Sequence, residues 1–395
     1  MAEKIKFYYY NHLFPKIHYI HILIPKGNFS EPLEKKGVME CLINNLLLYS
    51  KKYEDRELRP LFDILGSNFE ISTSEEYTLI TMQVIEENLE KAVSLLFESL
   101  FFAEFKKEKL KSAIKAMKGA LKISLSDPQY ISECHLFELT FGKNHPLGKN
   151  QTIKTLKNIK LNDLNLEYEN LKDTKDWAIF ISSPWEKEKI LEPILEIINK
   201  YEFKNKNSYQ LPEISIKLMP KVRVVPKKGF SQVALNLLII AEPRKSEDYI
   251  PLKLSFYNFA EGGFSSRILR KIRVEMGSTY SVIGDYDAFK EIGYFQISGM
   301  VNNNDFSKTV EVIKKSYEEW KTDGITEEEL EEAKAFYLNI FKTIKDDPLD
   351  YGSFLLKNHL YAFPENYDEI LIEKIKSLKI EDIKRAHQKL PQEIP

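Results

Sequence analysis

The feature that most constrains this chain is a recurrence: its predicted elements run through the same order twice. In the first half, strand-type alternation covers residues 4–10 and 17–24. An apolar helical pattern then starts at Gly37, and a second helix ends at Gly66-Ser67. Strands at 68–72 and 77–84 follow, then an amphipathic helix over 88–104. In the second half, a strand at 233–241, a helix at 248–259 and a helix over 265–276 lead to the stop Gly277-Ser278. Strands at 279–285 and 294–300 and an amphipathic helix at 306–321 come next. Gly66 and Gly277 lie 211 residues apart (277 − 66), and Tyr77 and Tyr294 lie 217 apart (294 − 77). Such an offset, with one small loop difference, reads as one unit of about 200 residues present twice. The predicted class is α+β, with two homologous domains, each a mostly antiparallel sheet with helices packed on one face. The expected boundaries are 1–203 for the first domain, 204–220 for a linker rich in Lys, Asn, Ser and Pro, and 221–395 for the second.

Charge and cysteine usage remove several functions. The 57 basic residues are balanced by 59 acidic ones, for a net charge of −2, so no basic excess points to nucleic acid. The longest charge-free apolar run, near 233–241, is far short of a membrane span. The two cysteines, Cys41 and Cys134, form no C-x-x-C pair and no disulfide framework. The N-terminus has no continuous apolar stretch of the signal-peptide kind. The expectation is a soluble, cytoplasmic protein. Only eight of the 57 basic residues are Arg, yet three of these, Arg267, Arg270 and Arg273, fall within seven positions.

That segment, Gly262-Gly263-Phe-Ser-Ser266-Arg267 through Arg273 to Tyr280, resembles the second-domain signature of the pitrilysin and mitochondrial-processing-peptidase family of zinc peptidases. Three further stretches resemble family motifs and stand in the family's order: Gly27-Asn-Phe-Ser-Glu31, His145-Pro-Leu-Gly148 and Gly324-Ile-Thr-Glu-Glu-Glu-Leu. The resemblance covers about 27–335, nearly the whole chain. It implies half of a clamshell that closes on an extended peptide. One half carries H-x-x-E-H, whose two His hold zinc and whose Glu activates water. The other half supplies an Arg and a Tyr, seven apart, against the substrate backbone.

On this chain the resemblance assigns the zinc motif to Glu40-Cys41-Leu42-Ile43-Asn44. Glu40 and Asn44 stand where the two His belong, and Ile43 stands where the catalytic Glu belongs. None of the seven His lies in an H-x-x-E-H pattern. The third ligand position falls at Ala120 or Leu121, on a helix dense in lysine, which repels a dication. Cys41 lies off the ligand face and suits a buried apolar role. His18 and His21, three apart in a strand, face opposite sides and are read as structural. No metal site and no cofactor are therefore expected in this chain.

The retained residues are Arg273 and Tyr280, seven apart, assigned by the resemblance to substrate binding and transition-state stabilisation. A fixed cation and an O–H donor suit a peptide carbonyl that gains negative charge. Gly262, Gly263, Ser266 and Arg267 are expected to support their loop. The reading is a non-catalytic subunit of a heterodimeric zinc peptidase. Its partner would be a paralogue carrying H-x-x-E-H and the zinc, and its substrate a peptide, with no nucleic acid and no membrane involved. The alternative is a catalytically inactive peptide-binding or scaffold protein of the same fold. No nucleophile triad, phosphate loop or dinucleotide fingerprint supports a third class.

Overall fold

The computed structural model describes residues 5–13, 15–53, 57–204, 221–275 and 282–394. The expected linker, apart from Lys204, and the Gly277-Ser278 stop lie outside the described residues. The first half runs β1 (Lys6–Asn11), β2 (Ile17–Ile24), α1 (Val38–Ile43), α2 (Arg59–Ile64), β3 (Asn68–Thr73), β4 (Thr78–Ile85), α3 (Leu89–Phe101), α4 (Lys107–Ser124) and α5 (Pro128–Phe141). It continues with α6 (Ile153–Asn158), α7 (Leu161–Lys172), β5 (Ala178–Ser183) and α8 (Lys187–Ile198). The second half runs β6 (Gln232–Ala241), α9 (Tyr249–Phe256), α10 (Arg267–Arg270), β7 (Ile283–Ala288), β8 (Gly293–Asn302), α11 (Phe306–Asp323) and α12 (Glu327–Thr343). It ends with α13 (Pro348–Leu360), α14 (Tyr367–Ser377) and α15 (Ile380–His387).

The chain divides into two compact units, each drawing on both halves of the sequence. One gathers the chain up to Leu121, the stretch from Gln151 through α8, and Ile344–Glu365. The other gathers Lys122–Asn150, the stretch from β6 to Thr343, and the chain from Asn366 onward. Each has its own sheet with its main helical layer on one face.

In the first unit the strand order is β1-β5-β2-β4-β3, antiparallel except for the β1–β5 pair. β4 shows why: Thr78, Ile80, Met82 and Val84 are buried, while Leu79, Thr81 and Gln83 between them are half-exposed. The buried face, with Ile20, Ile22, Ile179 and Ile181, carries the helical layer that contains α3 and α8. Central strand β2 is buried on its other face as well, because α13 packs there. Leu355 and Leu356 of α13 meet Leu23, Ala178 and Phe180. Gly352 lets α13 approach, since a Cβ there would stand 2.4 Å from the Phe180 ring.

In the second unit the order is β6-β8-β7, all antiparallel. Phe295 stacks on Phe256 at 4.1 Å, and Phe259 stacks on Trp320 at 4.4 Å, which forms an aromatic core under one face. The other face receives α5: Phe137 lies edge-on to Tyr294 at 5.5 Å, and Gln129 Nε2 donates to Asn236 Oδ1 at 3.0 Å. Both crossing helices, α5 and α13, begin with an Asp-Pro pair, 220 residues apart (347 − 127). Asp127 accepts from the Gln129 amide at 2.9 Å, and Asp347 accepts from the Leu349 amide at 2.7 Å.

Three of the buried histidines, His18, His21 and His387, are almost completely enclosed. His18 Nδ1 meets Ser183 Oγ at 3.0 Å, His387 Nε2 meets Ser255 Oγ at 2.8 Å, and His21 lies against Phe180 at 5.5 Å. His18 and His21 do face opposite sides of β2. Burial lowers all three to about 4, well below the ordinary imidazole value. The sign follows: the unfolded chain takes up these protons near 6.5 and the fold resists them until about 4. Stability is therefore complete above about pH 6.5 and is lost as pH falls toward 4. Thermal melts from pH 7 to 5 should show a falling midpoint, with a shallower slope in His21→Phe. A midpoint that does not move across this range would contradict the assignment.

Candidate functional site

The helix to which the resemblance assigns the zinc motif is α1, and its entry is tightly built. Gly27 is required by close approach, because a Cβ there would lie 2.3 Å from the Ser74 carbonyl oxygen. Gly37 opens α1 at φ +101°, a left-handed conformation. The buried Glu31 carboxylate accepts from the Gly37 and Met39 amides at 3.0 and 2.9 Å, with Lys36 Nζ at 3.2 Å. The Gly-Asn-Phe-Ser-Glu motif thus sets the N-terminus of α1, where a carboxylate complements the helix dipole.

What α1 presents does not suit zinc. Glu40 Oε2 accepts from Gln151 Nε2 at 3.1 Å, Ile43 is half-buried, and Asn44 caps the helix in solvent. Cys41 is fully buried, its Sγ 3.3 Å from Met117 Sδ of α4, and burial pushes its thiol up to about 12. A thiol at that value supplies no thiolate near neutral pH. α4 turns Met117 and Leu121 inward and leaves Ala120 exposed. Zinc needs three or four converging N, O or S donors. Among the described residues, no group of three or more His, Cys, Asp or Glu is placed to hold a metal ion.

The glycine loop of the second unit is held by a clasp. Gly263 adopts φ +57°. Ser266 Oγ donates to the Gly263 carbonyl at 2.8 Å and caps α10 by accepting from the Leu269 amide at 3.4 Å. The Arg267 guanidinium forks onto Glu329 of α12: Nε donates to Oε1 at 2.7 Å, and a terminal nitrogen bonds Oε2. Glu329 also accepts from the Thr326 amide at 2.8 Å, and Thr326 Oγ1 accepts from the Glu329 amide at 3.2 Å, a capping box. Burial acts to raise the Glu329 carboxyl, but Arg267 and Thr326 outweigh it and hold it below the usual carboxylate range.

The Gly-Gly-x-x-Ser-Arg and Gly-Ile-Thr-x-x-Glu motifs are therefore two sides of one clasp. The sequence places Arg267 in the loop and Glu329 in the Gly-Ile-Thr motif at a helix start, but it does not pair the two, although the Thr-x-x-Glu spacing is a visible capping signal. Arg273 sits on a π-helical turn, Lys271–Glu275, directly after α10. Its side chain is exposed, with the guanidinium carbon 4.5 Å from the ring centre of Phe264, itself 68% exposed. Tyr280 lies outside the described residues. His145-Pro-Leu-Gly148 forms the turn after α5: the Leu147 amide donates to His145 Nδ1 at 3.1 Å, and Gly148 leaves no room for a Cβ beside the Gly142 carbonyl.

These features define a class: a two-unit α+β chain of peptidase fold in which, among the described residues, no group of His, Cys, Asp or Glu is placed to hold a metal ion. The family models agree. That of Insulinase (Peptidase family M16) matches residues 11–152, and that of the Peptidase M16 inactive domain matches residues 158–337. The chain belongs to peptidase family M16. It is 26% identical over 322 residues to an uncharacterized zinc protease, YmxG, of Bacillus subtilis, covering 80% of this chain and 76% of that protein. It is 23% identical over 394 residues to the non-peptidase homolog YmxG of Helicobacter pylori, covering 96% and 88%. In fold it is similar to a peptidase M16 inactive domain from Pseudomonas fluorescens (TM-score 0.86, 17% identity, 99% and 93% covered). It is also similar to the periplasmic protease PqqL of Escherichia coli (TM-score 0.80, 13% identity, 96% of this chain and 42% of that one).

The clasp is testable by a double-mutant cycle. Arg267→Ala and Glu329→Ala should each destabilise the chain by roughly 1–3 kcal/mol. The double variant should cost clearly less than their sum. Strict additivity in urea melts would show that the two motifs do not act as a unit.

Proposed function

We propose that this chain is the non-catalytic subunit of a two-chain zinc peptidase. A paralogue bearing H-x-x-E-H would supply the zinc, and this chain would supply Arg273, Tyr280 and half of the chamber. The observation that carries the reading is an asymmetry. The positions that the resemblance assigns to the zinc ligands carry Glu40 and Asn44 in place of His, while the loop that leads to Arg273 has a full clasp of Ser266, Arg267 and Glu329. The match to PqqL, which spans nearly all of this chain but 42% of that one, supports a complete enzyme built from two such halves.

β3, an edge strand with Asn68, Glu70 and Ser72 exposed, offers unpaired backbone to an extended peptide. The proposed compartment is the cytoplasm, in keeping with two free cysteines. Among the described residues no helix is long and apolar enough to cross a membrane. The second reading, an inactive peptide-binding or scaffold protein, is favoured by the name non-peptidase homolog given to the Helicobacter pylori relative.

The experiment is reconstitution with the H-x-x-E-H paralogue from the same genome. The chain alone should be silent, and the mixture should cleave unfolded peptides. Arg273→Ala should lower kcat/KM of the mixture by about 10²–10³, with a smaller loss for Tyr280→Phe. Chelator-sensitive cleavage by the chain alone, or full activity of the mixture carrying both substitutions, would overturn the proposal.

A further inference from the structure

We propose that the solvent face of α4 is a docking surface for an acidic, extended polypeptide segment. Lys107, Lys111, Lys115 and Lys118 recur at spacings of four, four and three residues. At 3.6 residues per turn they fall within about 80° of arc and span about 16 Å of helix. Leu110 and Met117, about a third of a turn away, are buried, while Lys107, Lys111 and Lys115 are exposed and Lys118 is half-buried, so the row lies along one flank of the solvent face. None of the four lysines makes an ion pair or hydrogen bond among the described residues. Their helix neighbours differ: Lys109 pairs with Glu57 at 2.6 Å, and Lys106 lies 4.2 Å above the Tyr49 ring. The only acidic residue of α4 is Glu108. Like charges at these spacings disfavour a helix by about 0.2–0.5 kcal/mol per pair, so the isolated row is an electrostatic cost that an anionic partner removes.

Three observations select the partner. First, Ser112 and Gly119 beside the row are small and exposed, and a Cβ on Gly119 would meet nothing within 4 Å. A backbone can therefore come close. Second, the lysines recur every ~4.5–6 Å along the helix axis, near the ~6.6–6.8 Å repeat of same-face residues in an extended strand. Asp or Glu at alternate positions of such a segment would meet successive ammonium groups. Third, the row has no Arg and no aromatic residue, and the chain is net negative, which disfavours nucleic acid. The row itself exposes no large apolar side chain; Ile123 of α4 is 74% exposed but lies about a third of a turn from the row, which disfavours a membrane as the partner of these lysines. The inference rests neither on Arg273 nor on a zinc-bearing partner.

The test is fluorescence anisotropy with a labelled peptide of alternating Glu and Thr and the full chain. Binding should weaken steeply as salt rises from about 50 to about 300 mM. It should fall at least about tenfold in the triple variant Lys111→Glu, Lys115→Glu, Lys118→Glu. The Gln versions of the same three substitutions should give an intermediate loss and keep the result readable if the Glu variant folds poorly. A control with the same charge change elsewhere, Lys228→Glu, Lys245→Glu, Lys308→Glu, should stay within about twofold. The proposal is overturned by no binding to the wild-type chain, or by equal loss in the control. It is equally overturned if an oligo-dT strand or phosphatidylserine vesicles bind as tightly through the same lysines.

Discussion

The packing of a crossing helix on the second face of each sheet is the constraint on which the rest depends. β2 and β5 are apolar on both faces, so one helical layer does not suffice for them. α13 closes the second face of the first unit, with Gly352 drawn against Phe180. α5 does the same for the second unit through Phe137 and Tyr294. Each crossing helix comes from the half of the sequence that does not supply the strands it covers. Neither half of the sequence therefore closes its own sheet. The repeated Asp-Pro start belongs to this arrangement: the Asp side chain satisfies free amides and the Pro presets the first turn of the crossing helix.

Within the first unit, packing and hydrogen bonding also occupy the residues of α1 to which the resemblance assigns the zinc motif. α1 and α4 still meet, but through a buried thiol and thioether, and Glu40 is turned to an amide of Gln151. The entry to α1, with Glu31 on two amides, is retained in full. In the second unit the corresponding effort goes into one carboxylate, Glu329, which fixes the loop from which Arg273 emerges.

Much of this was legible in sequence because period and punctuation carried it. β2 lies over Ile17–Ile24 as the alternation predicts, and β6 starts one residue before the predicted 233. The missing zinc ligands were legible because that motif is a fixed spacing of residue types. Other features were not. The apolar helical pattern that starts at Gly37 gives a helix that stops at Ile43, because Asn44 and the turn behind it break a pattern that remains apolar. α10 is four residues long and continues as a π-helical turn, which no periodicity announces. The crossing of α5 and α13 was invisible, since an amphipathic helix does not say which sheet it covers. The Arg267–Glu329 pair spans 62 positions, and only the fold brings its two motifs together.

The central claim is that this chain has the peptidase scaffold without a zinc centre of its own. The direct measurement is zinc per chain by elemental analysis, after equilibration with zinc at neutral pH and removal of loosely held metal. The account predicts far less than one equivalent, unchanged in Glu40→Ala and Cys41→Ser. One tightly held zinc per chain, lost in either variant, would contradict it.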